Sequence, residues 1–199
     1  MPARNPDLHG NVPDKSPVVL ILIDFINDLE FDTGPKLLRP AVRAARAVAA
    51  LKEKARKLGV AVIYANDNFG RWRSDFRETV RHVKEDGVRG QPLAELLEPD
   101  ADDYFVLKTK HSAFYTTTLE LLLQYLQAKR LILTGLASDM CVLLTAGDAF
   151  MRDYEVYVPQ DCVASASAAN TRKALEYMAR VFKAETRASA KLDLRKLRK

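Results

Sequence analysis

The feature that most constrains the fold is a run of six apolar residues, Val18–Ile23 (VVLILI), that stops on a carboxylate, Asp24. β-Branched residues and leucines with no polar alternation read as a strand buried on both faces. A strand of that kind needs helices above and below it. The same signature recurs at residues 60–65 (VAVIYA), 104–107 (YFVL), 131–134 (LILT) and 156–158 (VYV), and a short last strand is expected at 184–186. Helical spacing fills the gaps. Val42, Ala45, Val48, Ala49, Ala55 and Leu58 line one face of a helix that Pro40 is expected to open in its first turn and Gly59 to end. Further helices are expected over 75–85, 92–97, 116–128, 139–152 and 167–182. Strands alternating with helices imply βαβ units, a parallel sheet and an α/β fold.

Several functional classes are excluded at this level. The 199 residues suffice for one domain with a sizeable core, expected over 17–186, between an extension at 1–16 and a basic tail at 187–199. The proline-rich first residues carry no apolar signal-peptide core, and no run approaches the ~18 residues of a membrane span. Two cysteines cannot build a disulfide framework, so a cytoplasmic protein is expected. The formal charge of +5 misleads, because residues 187–199 hold six basic side chains and one acid while the rest of the chain is balanced. No nucleic-acid partner and no membrane contact are expected, and the tail reads as a frayed, solvated end. No G-x-G-x-x-G or G-x-x-x-x-G-K-[ST] follows a strand, which leaves a nucleotide site unsupported.

Open parallel sheets bind ligands beyond the carboxyl ends of their strands, so the residues there carry the functional reading. Asp24 closes the first strand, where partial desolvation raises a carboxyl pKa; capping of the next turn is the competing role. Lys108 closes the third, placed to lower a neighbouring thiol pKa or to stabilise an oxyanion, the alternative being a side chain that snorkels to solvent. Cys141 falls in the first turn of the helix after the fourth strand, where unpaired N–H groups favour a thiolate. Cys162 fits a small buried hydrophobe better. An acid, a cation and a thiol at the ends of three strands of one sheet form a conjunction that single residues do not.

These segments together resemble the isochorismatase-like cysteine hydrolases. The matching elements are Asp24, Lys108 with HSAF at 111–114, and Gly135 through Cys141 and Val142. Thr145, Ala146, Asp148 and Ala149 in the next helix match too, as does VPQDCVAS at 158–165. The match spans about residues 17–182. It implies a three-layer α/β/α fold of Rossmann type with a six-stranded parallel sheet in order 3-2-1-4-5-6, and a catalytic trio of Asp24, Lys108 and Cys141. It also implies a cis peptide between Leu136 and Ala137, an oxyanion hole from the Ala137 and Cys141 N–H groups, and a homodimer or homotetramer. Nicotinamidases of this family hold a metal after the second strand. Here that segment is NDNFGRWRSDF, with Asp67 but no histidine before His82, and the whole chain has only His9, His82 and His111. No metal and no cofactor are therefore expected, and nicotinamide is disfavoured.

The loop after the second strand leaves toward the same sheet edge. Asn66 and Asn68 are candidates to bind an amide or ureido group, Trp72 to wall the pocket, and Arg71 or Arg73 to fork onto a substrate carboxylate; Phe114 is a further candidate wall. The competing role is a turn that merely covers the sheet end. The expected activity is hydrolysis of a C–N bond in a small amide or ureide through a thioester. The alternatives are vinyl-ether hydrolysis of isochorismatase type and a non-catalytic binding or scaffold protein.

Overall fold

The computed structural model describes residues 15–70 and 75–198. Strands β1 (Val18–Ile23), β2 (Ala61–Asp67), β3 (Tyr104–Lys108), β4 (Arg130–Leu136) and β5 (Glu155–Tyr157) pair in the spatial order β3-β2-β1-β4-β5, every pairing parallel. A two-residue strand, β6 (Val163–Ala164), pairs with β4 beyond the end of β5. The sixth lane is filled by the chain around Glu185, which bridges Tyr157 in parallel and exchanges backbone hydrogen bonds with Val156 and Val158. That is the segment expected as a last strand, here one bridge long.

The central strand shows why its sequence is uniformly apolar. Val18, Leu20 and Leu22 enter one core, Val19, Ile21 and Ile23 the other, and all six are fully buried. Helices α1 (Gly34–Lys57), α2 (Phe76–Glu85) and α3 (Gln91–Leu96) cover the first face. The second face takes α4 (Leu119–Tyr125), α5 (Cys141–Phe150) and α6 (Ala168–Val181). No helix among the described residues is long and apolar enough to cross a membrane.

Two sequence expectations need correction. Pro40 does not open α1 but lies inside it; Pro35 occupies the first turn. An interior proline costs ~3 kcal/mol or more, offset here by a buried stripe of Leu37, Ala41, Ala44, Val48, Leu51 and Ala55. Gly59 does end the helix, at φ 62°. The basic tail, in turn, is not a frayed end. It forms a 3-10 turn (Ser189–Lys191) and a short helix, α7 (Leu194–Leu197), capped by the Asp193 carboxylate. Leu194 is buried, Leu192 and Leu197 pack against the first core, and Arg130 donates to the Leu197 carbonyl at 2.6 Å. The leucines point inward while the charges stay in water.

Candidate active site

Each strand end delivers one side chain to a common point. Asp24 follows β1 in a left-handed backbone conformation, φ 53°, its N–H bonded to the Ala65 carbonyl. One carboxylate oxygen accepts the Asp67 N–H at 2.8 Å, and the other lies 2.8 Å from the Lys108 ammonium. Lys108, the last residue of β3, is fully buried despite its charge. Its Nζ also donates to the Lys110 carbonyl at 3.2 Å, and stands 3.6 Å from the Asp67 carboxylate and 3.8 Å from the Cys141 sulfur. Cys141 is the first residue of α5 and half-buried. Its N–H is therefore a first-turn donor with no acceptor inside the helix.

The approach of β1 to β4 depends on Gly135, which stands opposite Ile23 in the ladder. A Cβ there would lie 2.1 Å from the Ile23 carbonyl oxygen, and its φ of 135° suits glycine alone. The loop that follows contains the cis Leu136–Ala137 peptide.

Burial sets the charge states. It pushes the Cys141 thiol up to about 12, the Asp24 carboxylate adding to the rise and the Lys108 ammonium opposing it. Asp24 is itself raised by burial, against the pull of Lys108 and of a hydrogen bond from Cys141. Burial works to lower Lys108, but Asp24 and Cys141 outweigh it and the ammonium is held above its ordinary value. The sequence reading, in which helix N–H groups and Lys108 lower the thiol pKa, is corrected in direction: desolvation and the adjacent Asp24 outweigh the attraction of Lys108.

The candidate pocket residues divide. Asn66 is fully buried, and its amide spans both backbone groups of Ile26, accepting at 3.2 Å and donating at 2.8 Å. It shapes the loop after Asp24 and has no face left for substrate. Phe114 is also core, its ring tilted against that of Tyr154 with the Arg152 guanidinium 4.9 Å from its centroid. Asn68 holds the turn at Gly70 through its side-chain oxygen, at 2.9 Å. Arg71, Trp72 and Arg73 lie outside the described residues. Cys162 is a buried residue away from the trio, its thiol likewise pushed up to about 12 by burial.

Two residues had no role in the sequence reading of this site. Asp67 contacts both Asp24 and Lys108; as the polar residue at the end of β2 it met the same criterion as Asp24. His111 is exposed, with Nδ1 3.7 Å from the Cys141 sulfur. It follows Lys108 by three residues on a segment anchored by Ser112 to Asp148 and by the Ala113 N–H to Thr145. Among the described residues, no cluster of three or more His, Cys, Asp or Glu side chains is placed to hold a metal ion.

A buried carboxylate–ammonium pair against a cysteine at a helix N-terminus, on this sheet, is an arrangement suited to acyl transfer through sulfur. Comparison with known proteins gives its family. Residues 18–189 match the isochorismatase domain. The chain is 39% identical over 171 residues to the uncharacterized isochorismatase family protein YaaI of Bacillus subtilis (strain 168), spanning 86% of this chain and 93% of that one. Among solved structures, N-carbamoylsarcosine amidase from Thermoplasma acidophilum is similar with a TM-score of 0.68 at 27% identity, over 88% of this chain and 98% of that one. Nicotinamidase PncA from Bacillus subtilis gives 0.67 at 28% identity, over 86% and 99%. The chain belongs to the isochorismatase family. It is a hydrolase of that family.

Proposed function

We propose that this protein hydrolyses a C–N bond of a small amide or ureide through a thioester on Cys141. The observation that carries the reading is the contact of the Cys141 sulfur with the Asp24–Lys108 pair at the ends of parallel strands. The similarity to an amidase and a nicotinamidase supports the same reaction class. Asp24 takes the thiol proton as sulfur attacks the carbonyl carbon, and Lys108 stabilises the negative charge that develops. The Ala137 and Cys141 N–H groups hold the oxyanion. Collapse breaks the C–N bond while Asp24 hands its proton to the leaving nitrogen. Water then attacks the thioester carbonyl, giving its proton to Asp24; the C–S bond breaks and that proton returns to sulfur. No net proton is left on the enzyme.

A panel of small amides and ureides, assayed for ammonia release, tests the reading. Turnover that disappears in Cys141→Ala, with covalent labelling at Cys141 by an electrophilic amide analogue, is the expected result. Labelling at Cys162 in place of Cys141 would overturn it. Hydrolysis of a vinyl ether such as isochorismate that survives in Cys141→Ser, with no ammonia from the panel, would move the assignment to vinyl-ether hydrolysis, which needs the acid and the lysine but no thiol nucleophile. A scaffold without turnover would release no ammonia and cleave no vinyl ether. The protein is proposed to act as a homo-oligomer, a dimer or tetramer, which sedimentation measures directly.

A further inference from the structure

Both N–H groups assigned above to the oxyanion belong to one six-residue stretch, from Leu136 to Cys141, and something must hold that stretch still. Ser138, next to Ala137, is fully buried, and its N–H is bonded to the Ala164 carbonyl at 2.9 Å. Its hydroxyl lies 2.6 Å from the Ser165 hydroxyl and 3.2 Å from that of Thr171. Ser165 in turn donates to the Asp139 carboxylate at 2.5 Å and accepts the Asp139 N–H at 3.3 Å. The other Asp139 oxygen takes the Asn170 amide at 2.8 Å.

The carboxylate gives this cluster a direction. An ionised carboxylate only accepts, so the Ser165 proton goes to Asp139, and at the 2.6 Å contact Ser165 then accepts from Ser138, whose hydroxyl is also directed at Thr171. One charge thus orders two buried hydroxyls, one of them on the residue that follows Ala137. We propose that Asp139, acting through Ser165 and Ser138, is the positioning residue of the oxyanion hole. Among the described residues its hydrogen bonds go to Ser165 and Asn170 and not to the Cys141 sulfur or the Asp24–Lys108 pair. The inference rests on the thioester reading, and it concerns only where the backbone donors stand. Preorganised donors of this kind act on a transition state that carries charge on oxygen and on no other.

That selectivity supplies the test. Acylation of Cys141 by p-nitrophenyl acetate passes through an oxyanion; alkylation by iodoacetamide does not. In Asp139→Ala the acylation rate is expected to fall ~10- to 100-fold while alkylation stays within about twofold, so the ratio of the two rates drops. Asn170→Ala, at an exposed helix position, is expected to lower the same ratio to a smaller extent. Should Asp139→Ala not fold, the Asn170 variant decides alone. A ratio equal to wild type in the folded variants, or both rates falling together, would overturn the assignment. If neither reagent modifies Cys141 in the wild-type protein, the thioester reading itself fails, which is a separate result.

Discussion

The space a side chain would occupy at Gly135 is already taken by the carbonyl oxygen of Ile23, 2.1 Å from where a Cβ would stand. Because Asp24 is the next residue after Ile23 and Cys141 lies six beyond Gly135, this contact fixes the distance between carboxylate and thiol. Gly135→Ala is expected to part β1 from β4 at their carboxyl ends. Ammonia release should fall by at least ~100-fold, the scale set by misplacement of reacting groups, with a lower midpoint in urea as well. Wild-type kinetics in this variant would show that the sheet edge can yield.

The cysteine thiols should make the protein sensitive to alkali. A folded thiol held up to about 12, against an ordinary 9.0, keeps its proton where the unfolded chain has lost it. Its contribution is complete below the unfolded value and is lost as pH rises from about 9 toward 12. Lys108, held above its ordinary value, acts in the same direction. Urea midpoints measured from pH 8 to 10.5 should therefore fall, and fall less steeply in Cys141→Ala. Buried Cys162 adds a second such slope. Stability that climbs over this range would contradict both assignments.

Lys52 gives a control at the opposite end of the sheet. Its ammonium is buried against Asp103 at 2.6 Å, Asp100 at 2.9 Å and the Tyr64 hydroxyl at 3.0 Å. Lys52→Met leaves the Asp103 carboxylate buried without its cation, a loss on the order of 3–5 kcal/mol. Chemical denaturation should record that loss while kcat of the folded fraction stays unchanged.

The tail is expected to behave as part of the fold. Leu194→Ala removes a buried side chain from the first core, and substitutions of that kind cost about 2–5 kcal/mol. A denaturation midpoint equal to wild type would mean the last helix contributes nothing to the core.

How much of this could be read beforehand depended on what burial does to sequence. A strand covered on both faces has no room for polar alternation, so β1 and β2 announced themselves, and the polar residue ending each apolar run was conspicuous. Asp24, Lys108 and Cys141 were legible on that ground. Asn66 and Phe114 were not, because residue type does not reveal which way a side chain turns at a strand exit. Neighbours on a strand face opposite sides, and so Asp67 meets Lys108 while Asn66 meets Ile26. The tail was misread because six positive charges were given more weight than the spacing of Leu192, Leu194 and Leu197, which suits one amphipathic turn. The direction in which the thiol is shifted was misjudged because the sequence names its neighbours but not how much water reaches them.

The ladder register has a last consequence. Lys108 is opposite Asp67, Ile23 opposite Ala65, and Gly135 opposite Ile23, so the alignment of the reacting groups is a property of four strands paired in one frame. Slippage by a single residue on any of them would send a functional group to the wrong side. Turnover should consequently vanish in step with the sheet during denaturation, making activity a sensitive gauge of whether the whole ladder is intact.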